Sequence, residues 1–227
     1  MTLPRAPRAV VFDMDGLLVD TEVLVRDAMK DQAIEMGREL PLPVFLRMVG
    51  TNHAGTEHIL IDHFGADFPL AEFRASWVKR YRIMTEAGVS LKAGVVELLD
   101  ELDELSIPRA VCTSSHHREV DLNLTPHGLR DRFHHVVAHG DYARGKPEPD
   151  PFLKASEVLG VAPEFCLALE DSHNGVRAAH AAGMMTIMVP DLLEPTEEIT
   201  SLCVRIAESL HDVRELIAAM SGPKERA

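Results

Sequence analysis

Residues 9–22 read AVVFDMDGLLVDTE, and this stretch decides how the rest of the chain is interpreted. Four apolar residues are followed by two aspartates one residue apart, Asp13 and Asp15, and then by Gly16. An apolar run of this length that ends in polar residues is typical of a buried strand. Two carboxylates delivered to one strand end repel each other, so the pair indicates a bound cation or a shared proton.

The composition is that of an ordinary soluble globular protein and argues against several partners. Of 227 residues, 46% are hydrophobic and 26% charged, and the formal net charge is −13. Proteins that wrap nucleic acid or coat anionic membranes need a basic face, so neither partner is expected. No apolar stretch approaches the ~20 residues of a membrane span, and no apolar signal-peptide core follows the N-terminal arginines. We therefore expect a cytoplasmic protein.

The three cysteines, Cys112, Cys166 and Cys203, are widely spaced and lie in apolar runs. A disulfide framework uses an even number of cysteines, and a zinc site uses closely spaced ones. We therefore expect buried, reduced thiols.

Short apolar strand candidates alternate with helical patterns along most of the chain. The strands are predicted at Arg8–Asp13, Pro108–Thr113, His135–Ala138, Cys166–Glu170 and Met185–Val189. The helices between and after them are predicted at Val95–Leu105, Glu119–His127, Pro151–Leu159, Gly175–Ala182 and Asp212–Met220. This alternation predicts an α/β fold with a doubly wound, Rossmann-like parallel sheet. In such sheets the functional groups collect beyond the carboxyl ends of the strands, at the topological switch point.

One long segment interrupts the alternation and contains no strong strand candidate. It has amphipathic helical stretches at Thr21–Met36, Leu42–Val49, His53–His63 and Leu70–Thr85. Apolar residues at helical spacing in the first of these leave one continuous face. The segment predicts a helical-bundle cap domain over residues 19–88, inserted into a catalytic core formed by residues 1–18 and 89–227.

Polar residues follow four of these predicted strands, in the order of the chain. They lie in DMD at 13–15, TSS at 113–115, the loop ARGKPEPD at 143–150 and ED at 170–171. Asp13, Asp15 and Asp171 supply the oxygen ligands that Mg²⁺ prefers. Thr113, at the start of a helix, can hold phosphate oxygens, and Lys146 can neutralise a phosphate or an attacking carboxylate.

Each of these motifs alone has a simpler structural explanation. DMDG can form a turn, Asp171 can cap a helix, and Lys146 can be a solvated surface lysine. Four such motifs in this order at strand ends favour one shared site. No Ser-His-Asp pattern or glycine-rich nucleotide loop is present, so a carboxylate is the expected nucleophile.

The stretches VVFDMDGLLVDTE, AVCTSS, GKPEPDPF and LEDSHNGVRAAHAAGM match, in order, the four motifs of a known family. On these motifs the sequence is identified as a member of the haloacid dehalogenase superfamily of aspartate-nucleophile phosphotransferases. The helical insertion directly after the first motif resembles the cap of the subgroup that contains β-phosphoglucomutase and many small sugar-phosphate phosphatases.

The resemblance implies a nucleophile, an acid–base group and a metal site. Asp13 would attack phosphorus and form an aspartyl-phosphate. Asp15 would protonate the leaving oxygen and then activate the hydrolytic water. Mg²⁺ would bind the Asp13 carboxylate, the Asp15 backbone carbonyl and the Asp171 carboxylate, with Glu170 supporting it directly or through water.

The resemblance also implies the residues that bind the transferred group. Thr113 and the amide of Ser114 would bind the phosphoryl group, and Lys146 would neutralise charge beside Asp13. Phosphoryl transfer depends mainly on positioning and charge stabilisation, and these residues suit that task.

Three other activities fit the sequence less well than hydrolysis of a phosphomonoester. Dehalogenating members of the superfamily need no metal and replace the second aspartate, whereas Asp15 and Asp171 are both present here. Phosphonate-cleaving relatives use a cap lysine for a Schiff base, and the first cap helix offers only Lys30. A non-catalytic binding role is disfavoured because every catalytic position is intact.

A phosphomutase is the closest alternative. In β-phosphoglucomutase a cap histidine helps to hold back hydrolysis, but DTEVLV places Val25 at that position. A cap arginine follows the glycine that ends the second cap helix, whereas GTNH places His53 near it. Both departures favour a Mg²⁺-dependent phosphatase of a small phosphorylated metabolite such as a sugar phosphate. A monomer is expected, because no stretch of the sequence indicates a long exposed apolar patch.

The cap is expected to select the substrate when it closes over the site. Thr21 and Glu22 would lie at the hinge between core and cap. The other candidates for substrate contact are Asn52, His53, Arg47 and Lys79, and Gly50 is expected to bend the chain between two cap helices. Among the twelve histidines, His116, directly after TSS, is the candidate for substrate binding apart from His53. Adjacent histidines on a helix or strand point in different directions, so such pairs make poor metal ligands.

Overall fold

The computed structural model describes residues 3–51, 53–86 and 88–220. Six parallel strands form one sheet in the order β3-β2-β1-β4-β5-β6. The strands are β1 Ala9–Phe12, β2 Arg109–Cys112, β3 His135–Val137, β4 Cys166–Glu170, β5 Met185–Met188 and β6 Arg205–Ile206. This order is that of a doubly wound sheet, which confirms the predicted fold class.

Helices follow the strands and cover both faces of the sheet. They are α1 Thr21–Glu35, α2 Leu42–Leu46, α3 His53–Phe64, α4 Leu70–Thr85, α5 Val95–Glu104, α6 His117–Leu124, α7 Asp150–Leu159, α8 His173–Ala181, α9 Glu197–Leu202 and α10 Leu210–Met220. Val10 and Phe12 of β1 pack on the face covered by α5, α6 and α10. Ala9 and Val11 pack on the opposite face, against α7 and α8. The two-residue periodicity of a strand thus divides β1 between two cores.

The strand order reverses between β1 and β4, which lie side by side at the centre of the sheet. Phe12 pairs with Leu169 in the register, so Asp13 and Glu170 leave the sheet next to each other. Phe12 also pairs with Val111 of β2, which places Thr113 at the same edge. This is the switch point of the fold, where parallel sheets bind their ligands.

Helices α1 to α4 form a bundle inserted after β1, hereafter called the cap. The bundle has an apolar core of its own, formed by residues such as Met29, Phe45 and Phe73. Two segments connect it to the sheet, and Val19 in the first forms an isolated bridge with Leu91 in the second. The domain boundaries at 18/19 and 88/89 remain a prediction.

Several observed elements differ from the predicted ones. Helix α6 begins at His117 rather than at the predicted Glu119. Helix α8 begins at His173 rather than at the predicted Gly175, because the Ser172 hydroxyl caps it by accepting a hydrogen bond of 3.1 Å from the Gly175 amide. The sequence prediction missed α9 and β6, which have six and two residues and are too short for a clear periodic pattern.

Two further observations bear on the sequence predictions. Cys112 and Cys166 are buried, Cys203 is half-buried, and all three are free thiols. Among the described helices, none combines the length and apolar character needed to cross a membrane.

Candidate active site

A buried lysine joins two strand ends at the switch point. The ammonium group of Lys146 donates hydrogen bonds to Asp13 Oδ1 and to Glu170 Oε1, both at 2.5 Å, and to the carbonyl of Cys112 at 3.0 Å. Only 5% of the Lys146 surface is exposed, and its charge lies 5.2 Å from the ring centre of Phe152. Three donors of one ammonium group thus fix the ends of β1, β2 and β4 relative to each other.

Burial dominates the ionisation of this cluster. It raises the pKa of the Asp13 carboxyl well above its usual range, and the Lys146 charge opposes that effect. Burial would lower the pKa of Lys146, but the Asp13 and Glu170 carboxylates raise it well above its usual value. The lysine therefore stays charged, and it supplies the positive charge that favours the ionised form of Asp13.

The carboxylates of Asp13, Glu170 and Asp171 form the cluster best suited to hold a metal ion. All three residues are buried, and one oxygen from each lies within 4.8 Å of the others. Burial, followed by the charges of Asp13 and Glu170, raises the pKa of Asp171 well above its usual range. Three carboxylates and one ammonium leave an excess of two negative charges. The donor set therefore fits one divalent, oxygen-preferring cation such as Mg²⁺.

The side chain of Asp15 lies among hydroxyl groups rather than in the carboxylate cluster. Its Oδ1 accepts a hydrogen bond from Thr21 at 2.9 Å. Its Oδ2 accepts hydrogen bonds from Ser115 at 2.8 Å and from Thr113 at 3.3 Å. The structure thus separates Asp15 from Asp13, although only one residue lies between them. Ser115 was not among the predicted site residues, although the TSS motif contains it.

Residues at the end of β2 form the part of the site that suits a phosphate group. Thr113 is buried, and its hydroxyl accepts a hydrogen bond from the Ser115 amide at 3.0 Å. Ser114 is exposed, and Thr113, Ser114 and Ser115 all line one cavity together with Asp13 and Lys146. Hydroxyls, a lysine and the start of α6 surround a space next to the Asp13 carboxylate, as anion binding requires.

The cavity has a volume of about 440 Å³ and extends from the sheet edge into the cap. Thr21 and Glu22, two of the residues predicted to bind substrate, line it at the start of α1. Burial, followed by the negative charges of Asp15 and Asp191, raises the pKa of Glu22 to about 8. At neutral pH the Glu22 carboxyl is therefore protonated and can donate a hydrogen bond into the cavity.

The remaining predicted contacts have different outcomes. His116 is not among the cavity-lining residues, and its ring packs edge-on against His139, with ring centres 4.6 Å apart. Arg47 and Lys79 are exposed and do not line the cavity either. Asn52 and the side chain of His53 lie outside the described residues. The bend expected at Gly50 is present, with φ of +68°, and its carbonyl accepts a hydrogen bond from Asn174 of α8 at 3.0 Å.

The sequence analysis missed residues that reach the site from distant parts of the chain. Tyr81 of α4 and Asn123 of α6 line the cavity from the cap and from the core. Trp77 lines the cavity one helical turn before Tyr81. Asp191, which follows β5, forms an ion pair of 2.7 Å with Lys92. Only the i, i+4 spacing of Trp77 and Tyr81 is visible in the sequence, and it does not show which way that face points.

The sheet order, the helical insertion after β1 and the carboxylate–lysine cluster define a doubly wound α/β enzyme suited to phosphate ester chemistry. A family model described as haloacid dehalogenase-like hydrolase matches residues 7–183. The chain belongs to this family of hydrolases.

Similar proteins with known sequences or structures span nearly the whole chain. A Drosophila melanogaster protein named probable pseudouridine-5'-phosphatase is 33% identical over 213 residues, which cover 90% of each chain. The crystal structure of CbbY from Rhodobacter sphaeroides in complex with phosphate is 28% identical, with a TM-score of 0.77, and covers 91% of this chain and 96% of that one. The β-phosphoglucomutase of Clostridium difficile, at 18% identity and a TM-score of 0.76, covers 96% of this chain and all of that one and shares the fold.

Proposed function

We propose that this protein is a Mg²⁺-dependent phosphatase that hydrolyses a small phosphomonoester, such as a sugar phosphate or a related metabolite, through an aspartyl-phosphate. The observation that carries the proposal is the buried Asp13 carboxylate, held by Lys146 beside Glu170 and Asp171 and open to the cavity. A carboxylate in this position is oriented, charged and next to a cation site, as a nucleophile in phosphoryl transfer must be.

In the first half of the reaction, one oxygen of Asp13 attacks phosphorus and the bond to the leaving alcohol oxygen breaks. The Asp15 carboxyl gives its proton to that oxygen, so that a neutral alcohol departs. Lys146 and the hydroxyl of Thr113 stabilise the charge on the transferred phosphoryl group. Mg²⁺, held by Asp13, Glu170 and Asp171, supplies further charge stabilisation when it is bound.

In the second half, Asp15 acts as a base. Its carboxylate takes a proton from a water molecule, the water oxygen attacks phosphorus, and the bond to Asp13 breaks. Inorganic phosphate leaves, and both carboxyls return to their initial states. The hydrogen bonds from Thr21 and Ser115 hold Asp15 in the orientation that both proton transfers require.

The comparisons support this class of substrate. One relative is named as a phosphatase of pseudouridine 5'-phosphate, a phosphorylated sugar derivative, and the similar CbbY structure contains phosphate. The similarity to both extends over the core and the cap. We also keep the prediction that the enzyme is a cytoplasmic monomer.

A phosphomutase is the second candidate, because the fold is shared with β-phosphoglucomutase. Val25 lines the cavity at the position where the resemblance places a histidine in that mutase. A valine cannot form the hydrogen bonds by which such a histidine would control Asp15, so hydrolysis is favoured.

A panel of phosphomonoesters, assayed with Mg²⁺ and with a chelator, tests the proposal. We expect release of phosphate from at least one small organic phosphate, and loss of that release in the chelator. A sugar 1-phosphate with a trace of the bisphosphate serves as the mutase control. Conversion to the 6-phosphate with little free phosphate would favour the mutase instead.

A further inference from the structure

The cavity has an apolar surface in addition to its phosphate-binding residues. The apolar residues that line it include Val25 of α1, Trp77 of α4 and Leu122 of α6. Val25 and Trp77 are partly buried against the cap core, and Leu122 is 58% exposed although it is a large apolar residue. We call these three residues the apolar wall. A large apolar side chain that is exposed within a cavity marks a binding surface.

Polar groups line the cavity as well, including Arg74 and Glu119. Glu22, at the start of α1, lies near the reacting end, because the hydroxyl of the neighbouring Thr21 donates a hydrogen bond to Asp15. Val25 and Leu122 have no hydrogen-bonding side-chain atom, and the indole of Trp77 is a donor only. These side chains would bury an apolar group of the substrate, whereas a hydroxyl in direct contact with Val25 or Leu122 would gain no partner from them.

We propose that the phosphomonoester carries a flat, largely apolar ring on its alcohol, and that this ring lies on the apolar wall with its face against Trp77. This inference rests on the proposed function and narrows its substrate to ring-bearing organic phosphates. Aromatic side chains bind flat rings through offset or edge-on contacts in addition to simple burial. The polar part of the alcohol, next to the phosphate, would contact Glu22.

Two matched pairs of substrates test the proposal. Uridine 5'-monophosphate and ribose 5-phosphate carry the phosphate on the same carbon and differ by the base ring. Benzyl phosphate and ethyl phosphate differ by a ring without a sugar. We expect the ring to raise kcat/KM by about tenfold or more in at least one pair, as expected for stacking on an aromatic side chain.

Variants of the apolar wall separate binding of the ring from general damage. Trp77→Ala should remove most of the preference by lowering kcat/KM more for the ring-bearing substrate than for the ring-free one, whereas Trp77→Phe should keep the preference. Leu122→Ala, on the surface of α6, should lower the preference without a loss of stability. Equal kcat/KM within both pairs, or an equal loss for both members in Trp77→Ala, would overturn the inference.

Acetyl phosphate is the control for the chemistry itself, because it has a small leaving group and does not need the apolar wall. Hydrolysis of acetyl phosphate with no ring preference would refute the inference but leave the proposed function intact. A failure to hydrolyse acetyl phosphate and all four esters would refute both.

A second, independent observation concerns Asp191. Its side chain is only 9% exposed, and its Oδ1 accepts a hydrogen bond from Lys92 at 2.7 Å. Its Oδ2 is fully buried and has no hydrogen-bond partner within the described part of the chain. A buried carboxylate oxygen without a partner is costly, so this atom indicates a ligand.

The Oδ2 of Asp191 points toward the carboxylate cluster. Gly16, which has a φ of +84°, lies against both aspartates. A Cβ atom added to this glycine would collide with the carboxylate of Asp171 and would lie 3.3 Å from Asp191 Oδ2. Oxygens of Asp171 and Asp191 therefore converge on the same glycine. Asp191 is not part of the set whose ligand atoms lie within 4.8 Å of one another.

We infer that Asp191 is a positioning residue for the metal site and accepts a hydrogen bond from a water molecule bound to Mg²⁺. Mg²⁺ keeps several of its waters in proteins, and groups that hydrogen-bond to its inner ligands hold them in place. Lys92 donates its hydrogen bond to Oδ1 of Asp191, so Oδ2 is the oxygen available to this water.

Calorimetric titration of the metal-free protein with Mg²⁺ tests this role without an activity assay. Asp191→Asn keeps an acceptor for Lys92 but replaces the second oxygen by a donor, and we expect it to weaken Mg²⁺ binding by about tenfold or more. Lys92→Met is the control, because it removes the ion pair but keeps both oxygens; its Kd should stay within about threefold of wild type.

Thermal unfolding without metal shows whether each variant is folded, and Asp191→Glu provides a second variant that keeps the carboxylate. A Kd for Asp191→Asn within twofold of wild type would overturn the inference. An equal loss of affinity in Lys92→Met would do the same, because the ion pair alone would then explain the effect.

Discussion

The ammonium nitrogen of Lys146 lies 2.5 Å from Oδ1 of Asp13, although 133 positions separate the two residues in the chain. The same nitrogen contacts Glu170, so one buried cation forms ion pairs with two buried carboxylates. This relationship joins three of the four sequence motifs at one point of the sheet. It also connects the stability of the protein with its chemistry, because both depend on the same ion pair.

Replacement of Lys146 by methionine should therefore destabilise the fold as well as abolish activity. Loss of one partner from a buried ion pair costs about 3–5 kcal/mol, because the remaining charges are left uncompensated. The cost should be smaller at pH 5 than at pH 8, since burial raises the pKa of Asp13 well above its usual range and this carboxylate can then become neutral by protonation. Urea unfolding in a chelator, at both pH values, measures the effect.

Lys154→Met is the matched control for this experiment. Lys154 forms only an exposed pair with Glu157, so its loss should change the free energy of unfolding by less than about 1 kcal/mol. A change in Lys146→Met as small as in this control would show that the buried ion pair contributes little to stability.

Glu22 should make the stability of the protein depend on pH in a predictable direction. Its pKa is raised to about 8 in the folded protein, from 4.5 as the ordinary value. The folded state therefore binds more protons than the unfolded state between these values, and stability falls as the pH rises through this range. Glu22→Gln resembles the protonated form and should remove this part of the decline.

The measurement is urea unfolding of wild type and Glu22→Gln at pH 5, 7 and 9, in the presence of a chelator. We expect similar stabilities at pH 5 and a more stable variant at pH 9. A constant difference between the two proteins across the three pH values would contradict the raised pKa.

His116 follows the phosphate-binding residues in the sequence, but in the structure its ring packs against His139 and does not line the cavity. We therefore expect His116→Ala to leave kcat and KM within about threefold of wild type, because the side chain does not touch the reacting groups. Ser115→Ala is the comparison, since Ser115 donates a hydrogen bond of 2.8 Å to Asp15. A larger loss of kcat in His116→Ala than in Ser115→Ala would assign His116 a direct role.

The core of the fold was predictable because buried parallel strands leave a simple pattern. Strand β4 was predicted with its observed limits, Cys166–Glu170, since an apolar run ends there in two carboxylates. The convergence of the strand ends followed from the parallel order of the sheet. The hydrogen bonds that Thr21 and Ser115 donate to Asp15 were only partly predictable. Both residues lie in predicted motifs, but the turns of the chain decide where their side chains point.

The cap and the segment after β5 were harder to predict, because their contacts are tertiary. Trp77 lies on an amphipathic helix whose polar and apolar residues both line the cavity, so periodicity could not identify the inward face. Asp191 follows β5 in a segment without a motif, and only the sheet order places it beside Gly16. Short edge elements such as β6 carry too few residues for a pattern.

The most direct test of the proposed mechanism is phosphate release by Asp13→Asn with Mg²⁺ and a substrate that the wild-type protein hydrolyses. The amide keeps the size of the side chain, so thermal unfolding should show a folded protein. The amide is not a nucleophile, so the variant should not form the aspartyl-phosphate. We expect the rate to fall by about ten-thousandfold or more, as for the loss of a covalent nucleophile in other enzymes. Release within tenfold of the wild-type rate would contradict Asp13 as the nucleophile and, with it, the aspartyl-phosphate.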